Sequence, residues 1–282
     1  MYNEQAPPEQ GPADYPPYEE ESLAKKLTYH LEGFIPLILI IIIVVFAGAS
    51  LGLWNIPFIT KIGPLSMLIL GTPSPGTMAI LNNSEDLVRP QFFSPDYLVL
   101  SPKEVLAQFD VIMLDQTGEA APLSLPRRAG EAISEWVKKG GKLLIIKNSG
   151  ISRADAPDVI GWEAVLGDVS PVDCQRLKNG RPSCLEPTVV PTAEIWRVDY
   201  DHPIATFDVI PPIGTEAPLT ITTFEVAPAS GANQIAAIKD ISSGKFYLGI
   251  VERQVLIGKS IYMNYDPSIT PGVFQNILRY LK

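Results

Sequence analysis

The first pattern along the chain is an uninterrupted apolar run from residue 34 to residue 54, which reads FIPLILIIIIVVFAGASLGLW. It contains no charged side chain, and about 20 apolar residues are enough for a helix to cross the hydrocarbon core of a bilayer. Isoleucine and valine are weak helix formers in water, but in lipid the backbone must satisfy its own hydrogen bonds, which favours a helix. The sequence therefore predicts one transmembrane helix over residues 33–55.

Two other interpretations of this run remain open. A helix buried in a protein core is apolar too, although it is rarely so long without a charge. A cleaved signal peptide is the second, because Ala47-Gly48-Ala49 resembles a small-residue cleavage site. The region before the run is acidic and longer than the short basic segment that begins a signal peptide, which favours an uncleaved helix.

From Pro64 onward, short apolar runs alternate with helical patterns. Strands are predicted at residues 64–71, 96–100, 110–115, 142–146, 219–226, 234–239, 246–251 and 260–264, with further strand signals from Ile195. Helical patterns are predicted at residues 103–109, 124–139, 162–166 and 271–281. Continuous apolar strands alternating with helices indicate a parallel sheet that is covered on both faces.

The helix before Gly140 has the clearest amphipathic pattern after the apolar run. Ser124 is a candidate N-cap and Pro126 suits the first turn. Lys138 and Lys139 lie where the helix dipole favours cations, and Gly140 is a suitable C-terminal residue.

The remaining segments divide the chain into three regions. Residues 1–32 combine proline with acidic side chains and cannot bury a core, which predicts a disordered tail. Residues 62–282 are predicted to form one α/β domain. Within it, residues 150–192 are rich in Pro, Gly and Asp and are expected to be an irregular insertion.

Charge excludes one class of function and orients the chain. The formal net charge of −9 offers no basic surface for a phosphate backbone, so we expect no nucleic-acid partner. Lys25 and Lys26 precede the apolar run and only Lys61 follows it closely. The positive-inside rule then places the N-terminus in the cytoplasm and the C-terminal domain outside the cytoplasmic membrane.

The two cysteines, Cys174 and Cys184, are ten residues apart. A disulfide between them would persist in an oxidising compartment, which agrees with an outside domain. Free thiols and a metal pair are the alternatives, but two cysteines without a nearby histidine make a poor zinc site. We therefore expect a disulfide, no metal and no cofactor.

Three segments resemble class I glutamine amidotransferase-like domains, in particular the trehalose-utilisation-like branch. They are EAISEWVKKGGKLLII at residues 131–146, DHPI at residues 201–204 and GKSIYMNYDP at residues 258–267, which precedes the last helix. The resemblance implies a flavodoxin-like three-layer α/β fold. It also suggests a tethered auxiliary subunit, because membrane-anchored domains of this kind occur in transport and envelope machines.

Active members of that family place a cysteine nucleophile on the turn after the strand found here at residues 142–146. The turn in this chain reads Lys147-Asn148-Ser149-Gly150 and has no cysteine. Ser149 is a candidate replacement, with His202 as base and Asp201 or Asp266 to orient it. No sequence spacing supports that constellation, so a turn hydroxyl and a structural histidine are the simpler interpretation.

Two residues are candidates for ligand binding. Asp115 ends a buried strand at the carboxyl edge, where open α/β sheets bind ligands, although such a residue often caps its own loop. Asn148 lies on the turn after the next strand.

The sequence thus favours a non-catalytic, membrane-anchored α/β domain, with the lipid bilayer and a membrane protein as partners. A membrane-tethered hydrolase using Ser149 or His202 is the first alternative. A cytoplasm-facing scaffold with inverted topology is the second.

Overall fold

The computed structural model of the chain describes residues 36–45, 63–177, 179–212 and 218–282. The chain divides into two units, Met1–Thr60 and Lys61–Lys282. In the first unit, residues 36–45 form helix α1, whose side chains are exposed almost throughout. Within the described ranges, no helix is both long and apolar enough to span a membrane. The predicted tail, and the predicted transmembrane helix apart from α1, lie outside the described residues.

The second unit alternates helices and strands along its first half and is mainly β further on. Its helices are α2 (Pro75–Asn82), α3 (Pro102–Leu106), α4 (Arg127–Lys138), α5 (Trp162–Leu166) and α6 (Pro271–Leu281). Its strands are β1 (Leu65–Leu70), β2 (Val88–Phe93), β3 (Val111–Leu114), β4 (Ser124–Leu125), β5 (Lys142–Ile146), β6 (Ser152–Arg153), β7 (Ala156–Ile160), β8 (Val172–Cys174), β9 (Pro187–Arg197), β10 (Val209–Ile210), β11 (Leu219–Phe224), β12 (Val226–Pro228), β13 (Ala232–Asp240), β14 (Phe246–Val255) and β15 (Gly258–Met263).

A central sheet of ten strands in the described chain organises this unit. Its parallel part has the order β2-β1-β3-β5-β15, which is 2-1-3-4-5 when these strands are numbered along the chain. Antiparallel pairing through β14, β13 and β9 then extends the sheet to β10 and β11. The expectation of an α/β fold is confirmed, but the sheet is mixed and not wholly parallel.

Alternate side chains of the parallel strands enter two cores, one on each face of the sheet. In β1, Met67 and Ile69 pack with α2 and α6, whereas Leu68 and Leu70 pack with α3, α4 and α5. Both faces of a parallel sheet are buried in this way, which explains the continuous apolar runs in the sequence.

At the start of the domain, one sequence prediction was wrong and one helix was missed. A strand was expected at residues 96–100, but Pro95–Leu98 is a 3-10 helix and the strand is β2. Pro90 obscured β2, yet proline is tolerated there because β2 is an edge strand. Helix α2 was not predicted at all.

The expected cap of α4 also differs, because Ser124 lies in β4 and Pro126 takes the N-cap position. The region 150–192 is more ordered than expected. It contains α5 at its predicted position, the short strands β6 to β8 and the start of β9. Strand β6 pairs with β4 and β7, and β8 pairs with β12.

Candidate functional site

The carboxyl ends of the five parallel strands lie at one edge of the sheet, because parallel strands share a direction. The topological switch point lies between the neighbouring strands β1 and β3, because the helices that follow them pack on opposite faces of the sheet. Doubly wound sheets bind ligands in the crevice outside such a switch point. In this protein the loops after β1, β3, β5 and β15 meet there, and they carry four of the sequence candidates, Asp115, Asn148, Ser149 and Asp266.

Asp115 follows β3 and is fully buried. Its Oδ1 accepts hydrogen bonds from the Thr117 backbone N–H at 2.8 Å and from the Thr117 hydroxyl at 2.7 Å. Its Oδ2 is buried without a hydrogen-bond partner among the described residues. Burial raises the pKa of Asp115 to about 7 against the opposing effect of the Thr117 hydrogen bonds, and the nearby charge of Asp266 raises it further.

Asp266 follows β15 and holds the loop after β1. Its Oδ1 accepts hydrogen bonds from the hydroxyls of Ser74 at 3.0 Å and Thr77 at 3.1 Å, and from the Ser268 backbone N–H at 2.8 Å. Ser74 is the N-cap of α2, which its Oγ stabilises by accepting from the Thr77 backbone N–H. Asp266 therefore joins the first and last loops of the parallel sheet and does not face His202.

Lys147, which sequence reasoning passed over, occupies the first position of the turn after β5. Its φ of 51° is in the left-handed region, which non-glycine residues seldom adopt. Burial lowers the pKa of its ammonium group, whereas Asp266 and Asp115 act in the opposite direction. The family that the sequence resembles places its nucleophile on this turn. In this protein Lys147 adopts the left-handed conformation of the turn. Asn148, the second ligand candidate, follows it and is half-buried.

Ser149 is 1% exposed and takes part in structural hydrogen bonds. Its Oγ accepts a 2.9 Å hydrogen bond from the Gln116 backbone N–H, and its carbonyl oxygen accepts one of 2.9 Å from Nε1 of Trp162. Trp162 belongs to the core on the α4 face of the sheet. Ser149 thus fastens the turn after β5 to the loop after β3 and to α5.

His202 lies in a separate cluster on the α6 face. Its Nδ1 accepts a 3.3 Å hydrogen bond from the Ile204 backbone N–H, so Nε2 carries the proton and donates to Glu252 at 3.0 Å. Tyr280 donates to the other carboxylate oxygen at 2.8 Å. Ile204 and Tyr280 pack in or against the core on the α6 face. The structure therefore keeps His202 and Ser149 on opposite faces of the sheet.

The carboxylate that orients His202 is thus Glu252, which the sequence did not indicate. Burial raises the pKa of Glu252, but the hydrogen bonds from His202 and Tyr280 outweigh burial and leave it lowered. The ammonium group of Lys259 lies 3.8 Å from Glu252 and 3.9 Å from the centre of the Tyr280 ring. Nothing in the sequence marks this cluster, because Glu252 is 50 residues from His202.

The carboxyl edge is filled by its own loops. Thr72 Oγ1 donates to Glu119 at 2.8 Å, and its backbone N–H donates to Gln116 Oε1 at 3.1 Å. A Cβ added to Gly71 would lie 2.3 Å from the carbonyl oxygen of Asp115, which shows how closely these loops approach.

Two cavities of the described chain, of ≈ 420 and ≈ 280 Å³, lie away from this edge, in the antiparallel extension and at β12 and β14. A third, of ≈ 460 Å³, is lined by Ile269 and Thr270 of the loop after β15 and by the start of α6. Among the described residues, no three acidic, histidine or cysteine side chains are grouped so that they could hold a metal ion.

Cys174 and Cys184 form a disulfide with a Cα–Cα distance of 5.3 Å. Cys174 ends β8 and Cys184 lies in a 3-10 turn before β9. The bond closes the loop that contains Asn179 and Gly180, within the region expected to be irregular.

No family model matches the chain, and no curated protein matches it. Solved structures do resemble it. A cytoplasmic protein from Salmonella typhimurium LT2 matches with a TM-score of 0.54 and 14% identity, over 77% of this chain and all (100%) of that one. A second cytoplasmic protein from Salmonella typhimurium matches with a TM-score of 0.50 and 16% identity, over 77% of this chain and 98% of that one. At these identities the likeness concerns the fold, and it agrees with an α/β domain that spans most of the chain.

Proposed function

We propose that this protein is a non-catalytic, membrane-anchored domain that serves as a binding or accessory subunit of a membrane or envelope complex. The single observation that carries the proposal is that the carboxyl edge of the sheet presents no accessible nucleophile among the described residues. Lys147 stands at the strained turn where a nucleophile would be expected, and the nearby hydroxyl of Ser149 is buried in a structural hydrogen bond. A nucleophile needs access and a base within hydrogen-bonding reach, and Ser149 has neither.

The fold part of the proposal is that the domain is flavodoxin-like and related to amidotransferase-like domains. The strand order 2-1-3-4-5 of the parallel part supports this, because it is the order of flavodoxin-like sheets. The motif resemblance at residues 131–146 and 258–267 points in the same direction. The loops at the edge would then be a ligand crevice that has been closed by its own side chains.

The location part is that the C-terminal domain lies outside the cytoplasmic membrane. The apolar run of residues 34–54 and the lysines before it support this orientation. The disulfide between Cys174 and Cys184 supports it as well, since disulfides are rare in reducing compartments.

The test of the binding role is purification of the tagged full-length protein from its native membrane in mild detergent, with quantification of the proteins that accompany it. We expect a membrane partner in stoichiometric amount. The Ser149→Ala/His202→Ala double variant is the matched control and should retain that partner, because both side chains are buried. A solitary protein with hydrolase activity that the double variant lacks would contradict the proposal and favour the hydrolase.

The test of the anchor is separate. We expect the full-length protein to remain in the membrane fraction after extraction with alkaline carbonate, and a protease added outside the cell to reach the C-terminal domain. Release by carbonate would contradict the anchor, and protection of the domain from the protease would favour the inverted topology.

A further inference from the structure

The turn between β14 and β15 exposes two aliphatic side chains. Val255 pairs with Gly258, which leaves Leu256 and Ile257 as the two-residue loop. Leu256 is 76% exposed and Ile257 is 56% exposed. Such loops normally use Asn, Asp or Gly, because a positive φ is required. Leu256 has a φ of 54°, so the chain places an apolar side chain where both the backbone and the solvent disfavour it.

This turn projects from the edge of the sheet at which β1 begins. Lys259 pairs with Lys142 at the start of β5, and Lys142 pairs in turn with Val111 at the start of β3. Val111 pairs with Met67, two residues into β1. Because neighbouring strands are about 4.8 Å apart, the turn lies roughly 15 Å to the side of the start of β1. The edge with Asp115 is at the opposite end of the strands.

The chain enters the domain from the apolar run at this same edge. The run ends at Trp54 and β1 begins at Leu65, which leaves ten residues between them. Ten residues reach at most about 35 Å, whatever their conformation. A membrane anchor in the run therefore limits the start of β1 to within about 35 Å of the bilayer surface.

Charge around the turn fits an anionic membrane surface. The turn packs on the end of α4, where a Cβ on Gly140 would lie 3.5 Å from Cδ1 of Ile257. The exposed Lys139 is the neighbour of Gly140. The exposed Asp168 is ion-paired with Lys138 at 2.6 Å at the end of α4, and Glu85 and Asp86 precede β2 at the far end of this edge. Exposed aliphatic side chains favour the interface of a bilayer, and a cationic side chain beside them is attracted to anionic lipids.

We propose that the Leu256–Ile257 turn is a second membrane contact, which inserts its two side chains into the interface of the bilayer that holds the chain's own helix. The proposal rests on the membrane anchor proposed above. It names the lipid bilayer as the partner of this edge and leaves the remaining surface of the domain to a protein partner.

The test uses the full-length protein in vesicles of phosphatidylcholine and phosphatidylglycerol. The native cysteines form the disulfide, so a Leu256→Cys variant can be labelled selectively with a fluorophore that senses polarity. Ala120→Cys, exposed on the loop after β3 at the opposite edge, is the matched control. We expect nitroxide-bearing lipids to quench the label at position 256 by about twofold or more and to leave the label at position 120 unchanged.

A second variant separates insertion from folding. Asn tolerates the left-handed region, so Leu256→Asn should keep the fold. A label on the Leu256→Asn/Ile257→Cys double variant should then be quenched much less than the same label on the Ile257→Cys single variant. Equal quenching in the two backgrounds would overturn the proposal.

The other outcomes are distinguishable. Equal, weak quenching at positions 256 and 120 in a protein that resists carbonate extraction would overturn the turn contact and leave the anchor intact. Release from the vesicles by carbonate would overturn the anchor on which the proposal rests. A shift in emission at position 256 without quenching by lipid would show that protein covers the turn, which also overturns the proposal.

Discussion

The hydroxyl of Ser74 donates a 3.0 Å hydrogen bond to Oδ1 of Asp266, which is 192 residues further along the chain. This bond connects the loop after β1, the first strand of the parallel sheet, to the loop after β15, the last. It closes the edge at which such a sheet would otherwise admit a ligand. Asp266 is therefore a structural residue of this edge.

Asp115 should make the domain less stable as pH rises. Its pKa is about 7 in the folded protein against an ordinary value of 3.8, so the folded state holds a proton that the unfolded state has lost between these values. Stability contributed by this group is greatest below pH 4 and falls until pH 7. The difference of about 3 units corresponds to a loss on the order of 4 kcal/mol.

Thermal unfolding of the full-length protein in mild detergent at pH 5 and pH 8, compared with Asp115→Asn, measures this effect. The variant cannot ionise, so its stability relative to the native protein should improve from pH 5 to pH 8. A constant difference between the two proteins would show that Asp115 does not carry the dependence.

Asn264 should be among the side chains most important for stability. It is fully buried, accepts hydrogen bonds from the Phe224 backbone N–H and the Tyr262 hydroxyl, and donates to the carbonyl oxygens of Phe224 and Leu248. Asn264→Ala leaves these buried groups without partners, which we expect to cost about 3 kcal/mol or more.

The matched control is Asn233→Ala, because Asn233 bonds Asp199 at the surface. Denaturant unfolding of both variants should show little change for the control, within about 0.5 kcal/mol. Similar losses in the two variants would contradict the role assigned to Asn264.

Gly71→Ala tests the close approach of the loops at the carboxyl edge. Gly71 has a φ of 106°, and its added Cβ would meet the Asp115 carbonyl oxygen at 2.3 Å. Gly231 has a φ of 76° with no atom within 4 Å of an added Cβ, so Gly231→Ala carries the backbone strain alone.

We expect about 1 kcal/mol of destabilisation at Gly231 and at least about 2 kcal/mol more at Gly71. The midpoint of denaturant unfolding gives both values. Equal effects would mean that the loops after β1 and β3 have room to separate.

Loss of the disulfide should destabilise the domain by about 3 kcal/mol, because Cys174 and Cys184 close a loop of roughly ten residues. The measurement is the unfolding temperature with and without a strong reductant. The Cys174→Ser/Cys184→Ser variant should resemble the reduced protein and should not respond to reductant. An oxidised protein no more stable than this variant would contradict the expectation.

The sequence by itself determined the local features of this protein. Helix α1 lies within the apolar run of residues 34–54, and the membrane span predicted from that run stays a prediction. Buried strands such as β3 and β5, and the amphipathic helices α4 and α6, were predictable because alternation and periodicity are set by neighbouring residues. The lack of a cysteine on the turn after β5 was equally evident. Helix α2 escaped detection because its start reads as a Pro- and Gly-rich loop.

Only the tertiary structure decided how these parts meet. The antiparallel extension of the sheet, the pairing of His202 with Glu252 and the attachment of Ser74 to Asp266 join residues that are distant in the chain. The left-handed backbone of Lys147 could not be predicted, because glycine or asparagine usually adopts that conformation and position 147 is a lysine. Local side-chain patterns report which residues are buried, whereas partners across a sheet are selected by the packing of the whole domain, and that packing placed Ser149 and His202 on opposite faces.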